Sequence, residues 1–333
     1  MDTAQHKRDT LNDASQGAGP ITRPPDQLET RSNGLATKLK PELSPYLSYA
    51  QVGSHWHRSE SLRNLVIFGD SYSVSARKSM FEDDESTSDE EEGSDSDDKR
   101  GEGTPPIATW TYYLPNALES LPKIENFARP GETVEEDLLP QVSRYMSSLP
   151  LENKPGPGQT TYIIFMGIND VGGASSDYLE AFISGQLLDG LHKLYTQARA
   201  RNFILIDVPP TDRSPAASSF FQEIIKGRVE EWNQKLRAHI IDFCAPLVNS
   251  ADQEADTTPS ITMLLFSFHK LLTSILDEPE KYDFLKKDIK KQNGGIWSDQ
   301  LHLTPAVHRI VAHRLAEALD FGTKSRDADI VNK

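Results

Sequence analysis

The sequence predicts an α/β protein, a three-layer α/β/α sandwich built on a mainly parallel sheet of roughly five strands. Three features predict it. Short continuous apolar runs, rich in β-branched residues and closed by turn residues, have the character of strands buried on both faces. Longer segments between them place apolar residues at helical spacing. The two kinds alternate, which demands crossover connections and therefore a parallel sheet covered by helices on both sides. With 333 residues, 37% of them hydrophobic, the chain is long enough for one sizeable core or two small ones.

Residues 1–45 are polar, rich in Ser, Thr, Asp, Asn, Gly and Pro, and bury too little apolar surface to offset ordering entropy, so a disordered tail is expected. Residues 46–63 are expected to be a lead-in, with Tyr46, Tyr49 and Trp56 as anchors, and the folded domain to span 64–322. Leu65-Val66-Ile67-Phe68, closed by Gly69-Asp70-Ser71, is the first strand. An acidic, disordered insertion is expected at 81–106. A helix follows from Trp110 to Leu121, and a short strand at Ile124–Phe127. The next helix runs from about Thr133 to Ser148, with Thr133 as N-cap and Glu136 completing a capping box. After the loop Lys154-Pro155-Gly156-Pro157-Gly158 comes the strongest strand, Thr160–Met166. A long helix over 177–200 leads to a strand at Phe203–Val208, stopped by Pro209-Pro210. Phe221, Ile224, Ile225, Val229, Trp232 and Leu236 mark one face of a helix from about Ser218 to Phe243. Ile261–Phe266 reads as a fifth strand grading into a helix up to Leu276. Pro305, at home in a first helical turn, opens a final helix to Leu319, and 323–333 form a tail.

Composition excludes several classes. No run approaches the ~20 apolar residues of a membrane span. One cysteine, Cys244, rules out an intramolecular disulfide and a multi-cysteine zinc site, and reads as a small buried hydrophobe. His55 and His57 flank Trp56 with no further ligands nearby, so no metal site and no cofactor are expected. The net charge of −15 is concentrated: residues 82–98 hold eleven Asp/Glu and no Lys/Arg. No basic stripe exists to release phosphate counterions, which excludes nucleic acid as a partner. Instead the 82–98 segment is a candidate to recruit a basic protein, and its Ser86, Ser88, Ser94 and Ser96 stand in a context that suits acidophilic kinases. The first twenty residues contain no apolar run of the signal-peptide kind, so an intracellular, cytoplasmic location is expected.

In an open parallel sheet, ligands bind beyond the carboxyl ends of the strands. Gly69-Asp70-Ser71-Tyr72-Ser73 follows the first strand, Gly131-Glu132-Thr133 the second, and Gly167-Ile168-Asn169-Asp170 the third. Trp297-Ser298-Asp299-Gln300-Leu301-His302-Leu303-Thr304-Pro305 precedes the last helix. Singly, each has an ordinary structural reading: a strand-to-helix turn with a capping Ser or Asp, a turn tolerant of left-handed backbone, a hydrogen-bonded histidine. Together they would gather at one edge of the sheet.

In this order the four segments resemble the conserved blocks of the SGNH/GDSL hydrolases, at Ser71, Gly131, Asn169, and Asp299 with His302. The resemblance covers about residues 64–320 and implies the flavodoxin-like fold of that superfamily. The Trp110 helix, the segment from Asp207 to Pro215, and Leu301-His302-Leu303-Thr304-Pro305 further resemble fungal carbohydrate acetylesterases, carbohydrate esterase family 16. The resemblance implies a serine esterase acting on a small acyl ester, such as an acetylated carbohydrate. Ser71 would be the nucleophile, His302 its base and Asp299 the group that orients His302. The N–H groups of Ser71 and Gly131 and the side-chain amide of Asn169 would form the oxyanion hole. Gly131 suits that role because a residue without a Cβ lets substrate come close. Glu132 is expected to point away, since its charge would oppose the oxyanion. His308 and His313, inside the last helix with no acid three residues upstream, are expected in packing or surface roles. The chain contains no Gly-x-Ser-x-Gly, which argues against the α/β-hydrolase elbow. Two alternatives stand beside the leading one: a longer-chain lipase or thioesterase of the same superfamily, and a catalytically silent protein of this fold that binds a basic partner through its acidic segment.

Overall fold

The computed structural model describes residues 44–57, 60–74, 108–150, 155–249 and 260–320. The expected acidic insertion with its serines, nearly all of the expected N-terminal tail, and the C-terminal tail lie outside the described residues.

Six strands form one sheet: β1 Leu47–Gln51, β2 Asn64–Gly69, β3 Lys123–Asn126, β4 Thr161–Phe165, β5 Asn202–Ile206 and β6 Thr262–Phe266, in the order β1-β6-β5-β4-β2-β3. All neighbours are parallel except β1, which pairs antiparallel with β6. The sheet is thus one strand larger than expected, and the extra strand comes from the segment read as a lead-in. Leu-Ser-Tyr-Ala-Gln has no continuous apolar run because β1 is an edge strand, half-buried along its length. By contrast, every residue of β4, β5 and β6 is buried, as a central parallel strand demands.

The helices are α1 Trp110–Ala117, α2 Leu138–Ser148, α3 Ile168–Gly173, α4 Ser176–Phe182, α5 Leu188–Gln197, α6 Gln222–Asn249, α7 Phe268–Asp277 and α8 Pro305–Leu319. The connection from β2 steps outward to β3, while β3 to β4, β5 and β6 steps the opposite way. Right-handed crossovers put these two sets on opposite faces. Accordingly α1 packs with α8, while α2, α5, α4 and α6 form a second group. Because the winding reverses around β2, a crevice opens past its carboxyl end.

Several element boundaries differ from expectation for local reasons. The second helix begins at Leu138 rather than Thr133, after a turn over 134–137. Thr133 Oγ1 does accept from the Glu136 N–H at 3.1 Å, but the carboxylate that returns to the Thr133 N–H belongs to Asp137, at 2.9 Å. The long helix over 177–200 is interrupted by a π-helical turn at Ile183–Leu187 that separates α4 from α5. Helix α6 starts later and ends later than expected. Val229, Trp232, Leu236 and Ile240 are buried on it, but Phe221 and Ile224 are exposed. Strand β6 and α7 are separate elements, because Ser267 caps α7 by accepting from the Lys270 N–H. Cys244 is buried, and burial pushes its thiol up to about 12.

Candidate active site

Strand β2 ends at Gly69, and Ser71 follows two residues later in a tight turn closed by Ser73 N–H donating to the Asp70 carbonyl at 2.9 Å. The strand end is held by a side chain. Gln141 on α2 accepts from the Gly69 N–H at 2.9 Å and donates to the Gly69 carbonyl at 2.8 Å. Asn233 on α6 does the same for Val208, just past β5, at 2.9 and 2.8 Å. In both places an amide takes the part of a neighbouring strand where the ladder has run out.

Across the crevice, residues 296–304 form a narrow hairpin. Trp297 and Leu303 bridge antiparallel, the Ser298 N–H donates to the His302 carbonyl at 2.8 Å, and Thr304 Oγ1 donates to the Gly295 carbonyl at 2.6 Å. At its tip Asp299 Oδ1 accepts from the backbone N–H groups of Leu301 and His302, each at 2.7 Å. That Asx-type turn is why an acid three residues ahead of a histidine can also face its ring. Asp299 Oδ2 lies 2.7 Å from His302 Nδ1, and His302 Nε2 lies 2.9 Å from Ser71 Oγ. An ionised carboxylate only accepts, so the Nδ1 proton points to Asp299 and Nε2 faces the serine hydroxyl as an acceptor. Burial opposes ionisation of Asp299, but the His302 and Leu301 N–H groups together with the His302 ring outweigh it and hold the carboxyl below its ordinary value. The His302 side chain remains 42% exposed, which leaves the pair open to solvent and substrate.

Gly131 and Asn169 lie past the ends of β3 and β4, on the same edge of the sheet. Asn169 stands in the first turn of α3, and its Nδ2 donates to the Glu132 carbonyl at 2.8 Å, which ties the two loops together. A primary amide carries a second N–H beyond that one. Gly131 is exposed at φ +79°, and a Cβ placed on it would meet nothing within 4 Å. Its left-handed backbone is one that favours glycine. The Glu132 side chain turns to α2, where it accepts from Gln141 and from Arg144.

Two buried carboxylates stand behind these loops. Asp170 accepts from the N–H groups of Val134 and Glu135 at 3.0 and 3.2 Å, bracing the segment after Gly131 against α3. Burial nonetheless raises its pKa. Asp70 accepts from the Tyr72 N–H at 2.9 Å, and burial, with Asp170 nearby, pushes it up to about 7. His308 is buried on α8 and held unprotonated down to about 3 by burial and by His302, whereas His313 is exposed. The ring at hydrogen-bond distance from Ser71 is that of His302.

The structure brings Ser71, Asp299 and His302 into one hydrogen-bonded line and sets Gly131 and Asn169 on the same edge. Sequence reasoning missed Gln141 and Tyr72. Gln141 did leave a signal: it interrupts an apolar stripe with Leu138, Val142 and Tyr145, all buried with it. A polar residue in such a stripe must find a partner. Tyr72 left none beyond its place next to Ser71.

The chain is similar to several known proteins. The family model for GDSL-like lipase/acylhydrolase matches residues 65–315. An acetylesterase from Thermothelomyces thermophilus is 24% identical over 230 residues, covering 63% of this chain and 74% of its own. Among solved structures, a member of the lipolytic protein G-D-S-L family from Veillonella parvula is 14% identical with a TM-score of 0.46, over 76% of this chain and 96% of that one. A variant of an acetyl-xylooligosaccharide esterase from Geobacillus Stearmophilus is 16% identical with a TM-score of 0.45, over 80% and 98%.

Proposed function

Because the chain belongs to the GDSL-like lipase/acylhydrolase family and is an ester-hydrolysing enzyme, we propose that it removes short acyl groups, acetyl above all, from a hydroxyl-bearing substrate of the carbohydrate kind. One observation carries the chemistry: the unbroken line from Ser71 Oγ through both ring nitrogens of His302 to Asp299, at 2.9 and 2.7 Å. The acetyl preference rests on the acetylesterase relative.

In this reading Ser71 Oγ attacks the ester carbonyl while its proton passes to His302 Nε2. Asp299 stabilises the imidazolium and keeps the ring in place. Negative charge on the carbonyl oxygen is met by the N–H groups of Ser71 and Gly131 and by the Asn169 amide, each such donor being worth ~3–4 kcal/mol of barrier. Collapse expels the alcohol, which takes the proton from His302, and leaves Ser71 acylated. Water then attacks the acyl-enzyme with His302 again as base, releasing the acid and restoring the serine.

A serine-directed fluorophosphonate tests the nucleophile: the wild type is expected to react and the Ser71→Ala variant not to. Turnover of acetyl against octanoyl nitrophenyl esters tests the acyl preference. Faster octanoyl hydrolysis would replace this reading with a longer-chain lipase.

A further inference from the structure

We propose that Tyr72 is a positioning residue for this site, its hydroxyl setting the Ser71–His302 separation by holding the carbonyl of Leu301. The role in turnover rests on the esterase reading above; the role in geometry does not.

The Tyr72 hydroxyl donates to the Leu301 carbonyl at 2.6 Å, across 229 residues of chain. Leu301 is the residue between the two grips of the Asp299 turn: its N–H is bound by Asp299, and the next residue is His302. Tyr72 is the residue after Ser71, and its own N–H is bound by Asp70. One side chain therefore connects the turn that carries the hydroxyl to the loop that carries the imidazole, one residue from each. The bonds from Ser298 to His302 and Leu303 run within the hairpin and set its shape. The Ala216 N–H, on the loop before α6, donates to the Gln300 carbonyl at 2.8 Å, and the Trp297 ring N–H donates to the Ile289 carbonyl at 2.9 Å, but neither bond reaches the turn that carries Ser71. The Tyr72 ring is buried among Phe165, Phe268, His302 and His308, with centroids 5.6–6.4 Å apart in this cluster. It is thus fixed by packing and has little freedom to follow a loop that moves. Burial raises the phenol well above its ordinary value, so it stays protonated and donates across the working pH range.

The experiment compares Tyr72→Phe with Tyr145→Phe. The second variant loses a buried tyrosine hydroxyl elsewhere in the molecule, where Tyr145 meets the Tyr162 hydroxyl at 3.0 Å, and so measures what that kind of loss does to stability alone. In a crystal structure of Tyr72→Phe, the Ser71 Oγ to His302 Nε2 separation is expected to exceed about 3.5 Å, beyond a hydrogen bond. Its kcat is expected to fall roughly tenfold to a hundredfold, with KM within about twofold, as for a small misplacement of reacting groups. Tyr145→Phe is expected to match the wild type in kcat while losing similar thermal stability. A Tyr72→Phe structure in which Ser71 and His302 stay in contact overturns the proposal, whatever its activity. A lengthened separation in a protein whose wild type neither labels at Ser71 nor hydrolyses esters upholds the positioning role and defeats the esterase reading instead.

Discussion

Gln141 and Gly69 exchange two hydrogen bonds, at 2.9 and 2.8 Å, in a wholly buried setting. The pair anchors the end of β2 two residues before Ser71, so stability and site geometry meet in one amide. Replacing Gln141 by the similarly sized, apolar Met leaves the Gly69 N–H without its partner and takes one of the carbonyl's. The expected cost is about 2–4 kcal/mol of unfolding free energy, a loss per buried polar group in the usual range. Urea unfolding measures it, and a change below about 0.5 kcal/mol, the scatter of ordinary surface substitutions, would mean the amide is replaceable by relaxation.

Asp299 has two tasks on two oxygens. Oδ1 shapes the hairpin by accepting two backbone N–H groups, and Oδ2 faces the His302 ring. Asp299→Asn can keep the first with its carbonyl oxygen but presents an N–H to the ring, which favours the wrong tautomer. The variant is expected to fold normally and lose about 10²- to 10⁴-fold in kcat. Equal loss of kcat and of folded protein would point to the hairpin instead.

Two glycines with positive φ separate strain from collision. Gly131, at +79°, has open space where a Cβ would go. Gly131→Ala is therefore expected to cost only the strain of left-handed backbone, about 1–2 kcal/mol. Gly167, at +121°, would place a Cβ 2.5 Å from the Trp232 ring. Gly167→Ala is expected to lose more than about 3 kcal/mol, since overpacking adds to the strain. Thermal unfolding of the two proteins side by side checks the order, and a reversal would refute it.

Burial should leave a mark on the pH dependence of stability. Asp207 is buried at the end of β5, where it accepts from the His269 N–H at 2.8 Å, and burial pushes it from 3.8 up to about 7. Asp70 behaves alike. Between these values the folded chain holds protons that the unfolded chain has released, so each carboxyl makes stability fall as pH rises through that window. His308 acts in the opposite sense. It is neutral in the folded chain down to about 3 and protonated below 6.5 in the unfolded one, so its contribution is lost as pH falls through that range. Asp207→Asn removes one carboxyl from this balance. Relative to wild type it is expected to gain stability steadily from pH 4 to pH 7, and parallel urea midpoints at pH 5 and 7.5 would contradict the burial effect.

The legible parts of this protein were those with a local cause. The runs at Leu65–Phe68, Phe203–Ile206 and Ile261–Phe266 declare central strands because both faces of such strands must be apolar. Pro305 declares the start of α8 because its fixed φ suits a first helical turn. Asp299 and His302 were legible through the family resemblance of their segment, while the turn that folds the carboxylate onto the ring came from the structure. Strand β1 escaped because an edge strand is half-solvated and carries no such pattern. The π-helical turn at Ile183–Leu187 escaped because its apolar spacing differs from an α-helix by a single residue, too little to register in a short stretch.

The sequence by itself determined the kinds of element, their alternation, and the residues that stand at strand ends: Ser71, Gly131, Asn169 and, in the last loop, Asp299 and His302. Only the tertiary structure decided that Ser71 meets a ring 231 residues away, that Gln141 and Asn233 complete strand ends, and that Tyr72 reaches Leu301. Periodicity and turn chemistry act over a few residues and are written into neighbouring letters. Contacts across the crevice depend on strand order and crossover hand, which arise from packing the whole chain at once.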